Sequence, residues 1–180
     1  VAEPENTSRS SVFADFLHPK GQFLSRVLAV LRFDPAVYRE IQADPHAIPQ
    51  AFVAVIATAV LAGLGQGSLA AFFLGIAVAI LLWALVSALV WGVGVLLLGV
   101  KAEFPRLLSC LGFAYVWYGL LIGASLPFLG VLFSWAGALL YLGSLVLATR
   151  QVFETSTERA VLVAAIALGF PLLILFGIMG

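Results

Sequence analysis

From Gln50 onward the chain is a run of long apolar blocks separated by short connections, and no charged residue falls inside any block. All twenty Asp, Glu, Lys, Arg and His side chains lie in residues 1–49, 100–106 and 150–159. An uncharged stretch of about 18 or more residues crosses a hydrocarbon core of roughly 30 Å as a helix, because a helix satisfies its own backbone hydrogen bonds in lipid. The pattern predicts an all-α polytopic membrane bundle of five spanning helices. They run about Gln50 to Leu64, Leu69 to Leu98, Leu107 to Ser125, Leu129 to Thr149 and Ala160 to Ile178. The second block, at about 1.5 Å per residue, would reach some 46 Å. It therefore needs tilt, a kink at Gly92-Val93-Gly94, or extension into the headgroups to absorb the excess.

Ahead of the first block the periodicity changes. On a helical wheel from Gln22 to Phe33, Phe23, Leu24, Val27, Leu28 and Leu31 share one face, with Gln22, Ser25, Arg26 and Arg32 opposite. This predicts an amphipathic helix lying in the membrane interface or against the bundle, with the interface favoured because the polar face is short and carries Arg rather than Glu. Val12, Phe13, Phe16 and Leu17 extend the stripe, but Pro19-Lys20-Gly21 interrupts it. Two Asp-Pro pairs follow. Asp34 is expected to cap a short helix with Pro35 at its first position, and Asp44 with Pro45 to do the same for the helix entering the membrane. Between them Tyr38 and Ile41 should point toward the bundle or a partner, with Arg39 and Glu40 facing water. The expected organisation is a flexible cytoplasmic tail (1–21), amphipathic and linker helices at the interface (22–49), and a five-helix transmembrane domain (50–180). The polar start of the chain does not read as a cleavable signal peptide, so the first span should serve as the insertion signal.

Charge then sets the orientation. Five Lys and Arg precede the first block, Lys101 and Arg106 occupy the second connection, Arg150 and Arg159 the fourth, and the first and third connections have none. The positive-inside rule places the N-terminus in the cytoplasm and the C-terminus outside, as five spans require. At 63% hydrophobic and formal net charge zero over 180 residues, the composition excludes an ordinary soluble domain and offers nothing to nucleic acid. The single cysteine, Cys110, at the start of the third block, should be a buried, inert thiol.

Chemistry is sparse. The apolar blocks carry scattered hydroxyls, among them Thr58, Ser87, Ser109, Ser134 and Ser144, and three tyrosines, Tyr115, Tyr118 and Tyr141. Such hydroxyls usually bond their own backbone or a neighbouring helix. Without an ionisable group at membrane depth, ion or proton transport and intramembrane proteolysis are not expected. His18 and His46 lie in the N-terminal region and match no metal spacing, so no metal, cofactor or catalytic residue is assigned. Small residues are plentiful instead. Gly119 and Gly123 form a GxxxG, and Gly130, Ser134 and Gly137 repeat the theme on the next helix, as close helix packing requires. Trp83, Trp91, Trp117 and Trp135 are candidates for interfacial anchors, although the block boundaries place some of them deeper.

The segment Leu31-Arg-Phe-Asp34-Pro35-Ala-Val-Tyr38-Arg-Glu40-Ile41-Gln-Ala-Asp44-Pro45 leads through Gln50-Ala51 into the first block. With Phe104-Pro-Arg-Leu-Leu-Ser-Cys-Leu-Gly112-Phe-Ala114 and Ala148-Thr-Arg150-Gln-Val-Phe-Glu154-Thr-Ser156-Thr-Glu-Arg159-Ala160, it resembles prokaryotic members of the Yip1 domain family over residues 25–178. The resemblance implies five spans and a cytoplasmic N-terminus. Eukaryotic relatives act in vesicle traffic and bind small GTPases, but their Asp-Leu-Tyr-Gly-Pro type motif has no equivalent here. The expectation is a non-enzymatic protein of the bacterial cytoplasmic membrane, a scaffold or accessory subunit of a larger membrane complex that binds lipid or other integral membrane proteins, with Asp34, Pro35, Tyr38, Ile41, Asp44 and Pro45 as candidate structural or partner-contact residues. The alternative is a carrier of an uncharged or lipidic substrate through an apolar cavity.

Overall fold

In the computed structural model, which describes residues 22–64, 68–126 and 128–179, every regular element is helical. We number them α1 (Gln22–Leu31), α2 (Pro35–Ala43), α3 (Ala47–Gly63), α4 (Leu69–Leu98), α5 (Phe104–Ala114), a 3₁₀ segment continuing it (Tyr115–Ser125), α6 (Gly130–Val152) and α7 (Thr157–Met179). Residues 1–21, 65–67, 127 and 180 lie outside the described residues, and with them the Val12 to Leu17 stripe. Among the described residues three stretches are long and apolar enough to cross a membrane: Leu69–Leu98, Phe104–Ala124 and Gly130–Val152, with mean hydropathy 2.8, 1.7 and 1.9. Leu74, Leu81 and Leu85 on α4, and Val131, Leu132, Trp135 and Leu139 on α6, stand exposed, an apolar exterior suited to lipid.

α5 occupies the interior. It touches α1, α2, α3, α4 and α6, and everything from Ser109 to Ala114 is buried. Gly112 makes this possible, because a Cβ there would stand 2.6 Å from the Ala51 methyl and 3.1 Å from Trp83 Nε1. Trp83 is itself buried and donates to the Leu108 carbonyl at 3.0 Å, while Trp91 donates to the Ala102 carbonyl at 2.8 Å. These two indoles tie α4 to the start of α5 rather than anchoring at an interface. α4 runs unbroken through Gly92 and Gly94. Gly94 instead seats Phe153: a Cβ there would lie 2.3 Å from the ring.

Four of the hydroxyls are consumed locally. Thr58, Ser87, Ser109 and Ser134 each donate to the carbonyl four residues back, at 2.7 to 2.9 Å. Cys110 is fully buried, its thiol directed at the Tyr38 carbonyl at 3.6 Å.

The small residues pack differently from the expected pattern. Gly119 and Gly123 fall in the 3₁₀ segment, where three residues make a turn and positions four apart diverge by about 120°. Gly123 faces the Phe133 ring, where a Cβ would come within 2.5 Å, whereas Gly119 has only a Leu61 methyl at 4.0 Å. On α6, Gly130 abuts the Ala124 carbonyl and Gly137 the Trp117 carbonyl, where a Cβ would stand 2.2 and 3.1 Å away. The close contact between α6 and the 3₁₀ segment is thus made by Gly123, Gly130 and Gly137, each against a different partner, and not by a shared GxxxG face.

Candidate functional site

The polar chemistry gathers where α1, α2, the start of α5 and the end of α6 meet. α1 ends in a turn that satisfies two of its last carbonyls, with Phe33 N–H bonded to Val30 O at 3.0 Å and Asp34 N–H to Ala29 O at 3.0 Å. Phe33 occupies the left-handed position (φ 56°) that usually takes glycine. Its ring offsets that cost by stacking on Trp117 with centroids 5.2 Å apart and lying against Gly143. Asp34 then caps α2, its carboxylate accepting from Ala36 N–H at 2.9 Å with Pro35 in the first turn. α2 turns Val37, Tyr38 and Ile41 inward, all buried. The Tyr38 hydroxyl is hydrogen-bonded to Ser144 of α6, and burial pushes its phenol above the ordinary range.

Asp44 departs from its expected role. The helix that follows begins at Ala47, not Pro45, and His46 stands at its cap without a side-chain bond. One Asp44 oxygen accepts from His46 N–H at 2.8 Å, shaping the turn through Pro45, and the other accepts from Arg26 at 2.5 Å. Arg26 is the larger correction. Rather than facing water it is 3% exposed, and it also donates to Glu40 at 2.8 Å and to Gln50 of α3 at 2.8 Å. α1 is therefore rotated from the expected orientation: Arg26 and Val30 face inward, while Leu24, Leu28 and Leu31 stay exposed. Desolvation works against the charge on Arg26, but its bonds to Asp44 and Glu40 outweigh that and raise its pKa. Desolvation likewise opposes ionised Asp44, yet the bonds from Arg26 and from His46 N–H hold its carboxyl below the ordinary value. Arg26 lies three residues from Phe23 and four from Val30, and Glu40 and Asp44 stand four apart at the end of the next helix. Those spacings were the available signal.

Beside this cluster lies an open basin of about 800 Å³ lined by Arg39, Gln42, Arg106, Arg150, Gln151 and Glu154, among others. Arg39 stays exposed, as expected, and its Nε donates to the Gln151 side-chain oxygen at 3.0 Å. Arg106 pairs with Glu103 at 2.9 Å. A smaller cavity of about 280 Å³ adjoins, sharing Gln42, Ala43 and Arg106 and reaching Asp44 and Pro45. The three charged stretches, separated by long apolar blocks in sequence, thus supply the walls of one polar surface. Among the described residues no group of three or more His, Cys, Asp or Glu is placed to hold a metal. No protein-family model, curated protein or solved structure matches the chain.

Proposed function

We propose that the chain is a five-span protein of the bacterial cytoplasmic membrane, Yip1-like in architecture, with a cytoplasmic N-terminus and external C-terminus, that works as a non-enzymatic scaffold or accessory subunit binding membrane proteins or lipid at its charged end. α3, at 17 residues or about 26 Å, and α7, at 23 residues, would supply the spans beyond the three that are longest and most apolar. The observation that carries the proposal is the locked cap. Arg26 joins α1, α2 and α3, and Tyr38 joins α2 to α6, so the polar surface is presented on a fixed platform. A preorganised surface loses less conformational entropy on binding.

The cleft lined by Thr58, Gly75, Ala79, Tyr115, Tyr118 and Leu121 speaks for the rival carrier, but at about 160 Å³ it is below the roughly 300 Å³ at which small-molecule sites begin. Purification of the full chain from native membranes in mild detergent decides between the two. A membrane protein should co-purify in near-stoichiometric amount by mass spectrometry, and Arg26→Met should reduce its recovery while membrane insertion is unchanged. Protein that purifies alone, or that moves labelled lipid between vesicle leaflets, would overturn the scaffold reading.

A further inference from the structure

The basin holds more positive charge than its own residues answer. Arg39, Arg106 and Arg150 share its wall with a single carboxylate, Glu154. Among the described residues no carboxylate lies within 4.0 Å of Arg39 or Arg150, since the ion pairs present involve only Arg26, His46 and Arg106 as cations. Arg39 uses one donor on Gln151, and Arg150 makes no side-chain hydrogen bond to a described residue, so most of their five N–H groups each remain available. Gln42, in the same wall, has its amide nitrogen shut off from solvent without an acceptor. Glu154 is held back from pairing with Arg150 by the backbone. The helix ends before it, and Glu154 takes a left-handed conformation (φ 46°) where an uninterrupted helix would have set the two side chains one turn apart.

Guanidinium groups that converge on a cavity without carboxylate partners fit a tetrahedral oxyanion, whose oxygens accept their paired N–H groups. The volume falls within the range of small-molecule sites. Arg106 stands in the first turn of one membrane-length helix and Arg150 in the last turn of another, which sets the basin at the level of lipid headgroups. We propose that this basin binds a phosphate group, held chiefly by Arg39 and Arg150, with Arg106 exchanging Glu103 for the ligand. An anionic phospholipid of the adjoining leaflet and a soluble phosphate ester carry the same group. The site stands on its own geometry and does not require that the protein be a scaffold.

The test is thermal unfolding of the full-length protein in neutral detergent, titrated in one arm with short-chain phosphatidylglycerol and in the other with glycerol phosphate. Wild type should be stabilised saturably by at least one of them. Arg150→Gln, which removes no internal bond, should weaken the apparent affinity about tenfold, as loss of a charge-assisted hydrogen bond does. Arg39→Gln should do the same, and Lys101→Gln, an exposed cation outside the basin, should leave it unchanged. Saturation by the lipid alone identifies a headgroup site, and saturation by glycerol phosphate at comparable concentration identifies a soluble ligand. No saturable shift in either arm, an undiminished response in Arg150→Gln, or an equal loss in Lys101→Gln would overturn the proposal.

Discussion

Arg26→Met tests the hub of the charged end. The substitution keeps an unbranched apolar stem of similar reach in a site only 3% exposed, and it removes the one cation serving Glu40, Asp44 and Gln50. Those three acceptors do not suffer equally. Glu40 is 53% exposed and rehydrates, so its share is below about 1 kcal/mol. Asp44 is 17% exposed, and it keeps the His46 N–H and the His46 ring nitrogen at 3.6 Å. Gln50 is buried and loses the donor to its side-chain oxygen. Leaving a buried charge without its partner costs about 3 to 5 kcal/mol, and partial access to water places this site at the lower end, near 3 kcal/mol. At roughly 2 to 4 °C per kcal/mol for a chain of this size, unfolding in detergent followed by tryptophan fluorescence should shift down by about 6 to 12 °C.

The partners should rank by burial. Asp44→Asn preserves an acceptor for His46 N–H and leaves Arg26 paired with Glu40, so it should cost less, about 1 to 2 kcal/mol, and Glu40→Gln less again. Acid provides an independent check. Because the folded Asp44 pKa is depressed below its reference of 3.8, its stabilisation is fully present above that value and is lost as pH falls through the folded value. Wild type should therefore lose stability below about pH 3.8 more steeply than Asp44→Asn. If Arg26→Met and Asp44→Asn both melted like wild type, or if Glu40→Gln were the costliest of the three, the hub would not hold the helices together.

Other expectations concern separate features. Gly112→Ala should destabilise the detergent-solubilised protein by about 1 to 3 kcal/mol, since the added methyl meets the Ala51 methyl at 2.6 Å, whereas Gly75→Ala, with nothing within 4 Å, should be neutral or slightly stabilising. Asp34→Ala should cost about 0.5 to 2 kcal/mol by the same melting assay while Asp34→Asn costs little, because Asn also caps; equal losses would point to a charge contact instead. With Cys110 replaced by Ala, a cysteine at Ser68 should react with an impermeant thiol reagent from outside intact cells and one at Ser156 should not, and the reverse would invert the proposed orientation.

Local chemistry was legible before the fold was. Asp34 and Pro35 announce their cap within three residues, and the inward side of α2 follows from the spacing of Tyr38 and Ile41. Arg26 was misplaced because a wheel sorts residues by polarity, and a buried arginine is stabilised by carboxylates 14 and 18 residues further along the chain. The basin was hidden for a similar reason. That the arginines share one side follows from their placement in alternate connections, but that Arg39, Arg106 and Arg150 share one cavity depends on how α2 lies across α5 and α6. The GxxxG reading assumed α-helical winding, and nothing in Tyr115 to Ser125 signals a tighter turn. Both Asp-Pro pairs looked equivalent, yet only the first is a cap of the expected kind, since Arg26 recruits Asp44.

The seat that Gly94 offers Phe153 also constrains how the chain can vary. Phe153 is 1% exposed, and its ring occupies the space where any side chain on residue 94 would begin. Neither position can drift alone: enlarging the first drives into the ring, and shrinking the second opens a cavity beside a bare stretch of α4. The two sites, 59 residues apart in sequence, are therefore expected to change as a unit across descendants of this chain, a small residue at one accompanying an aromatic at the other and a compensating exchange of volume when either is replaced.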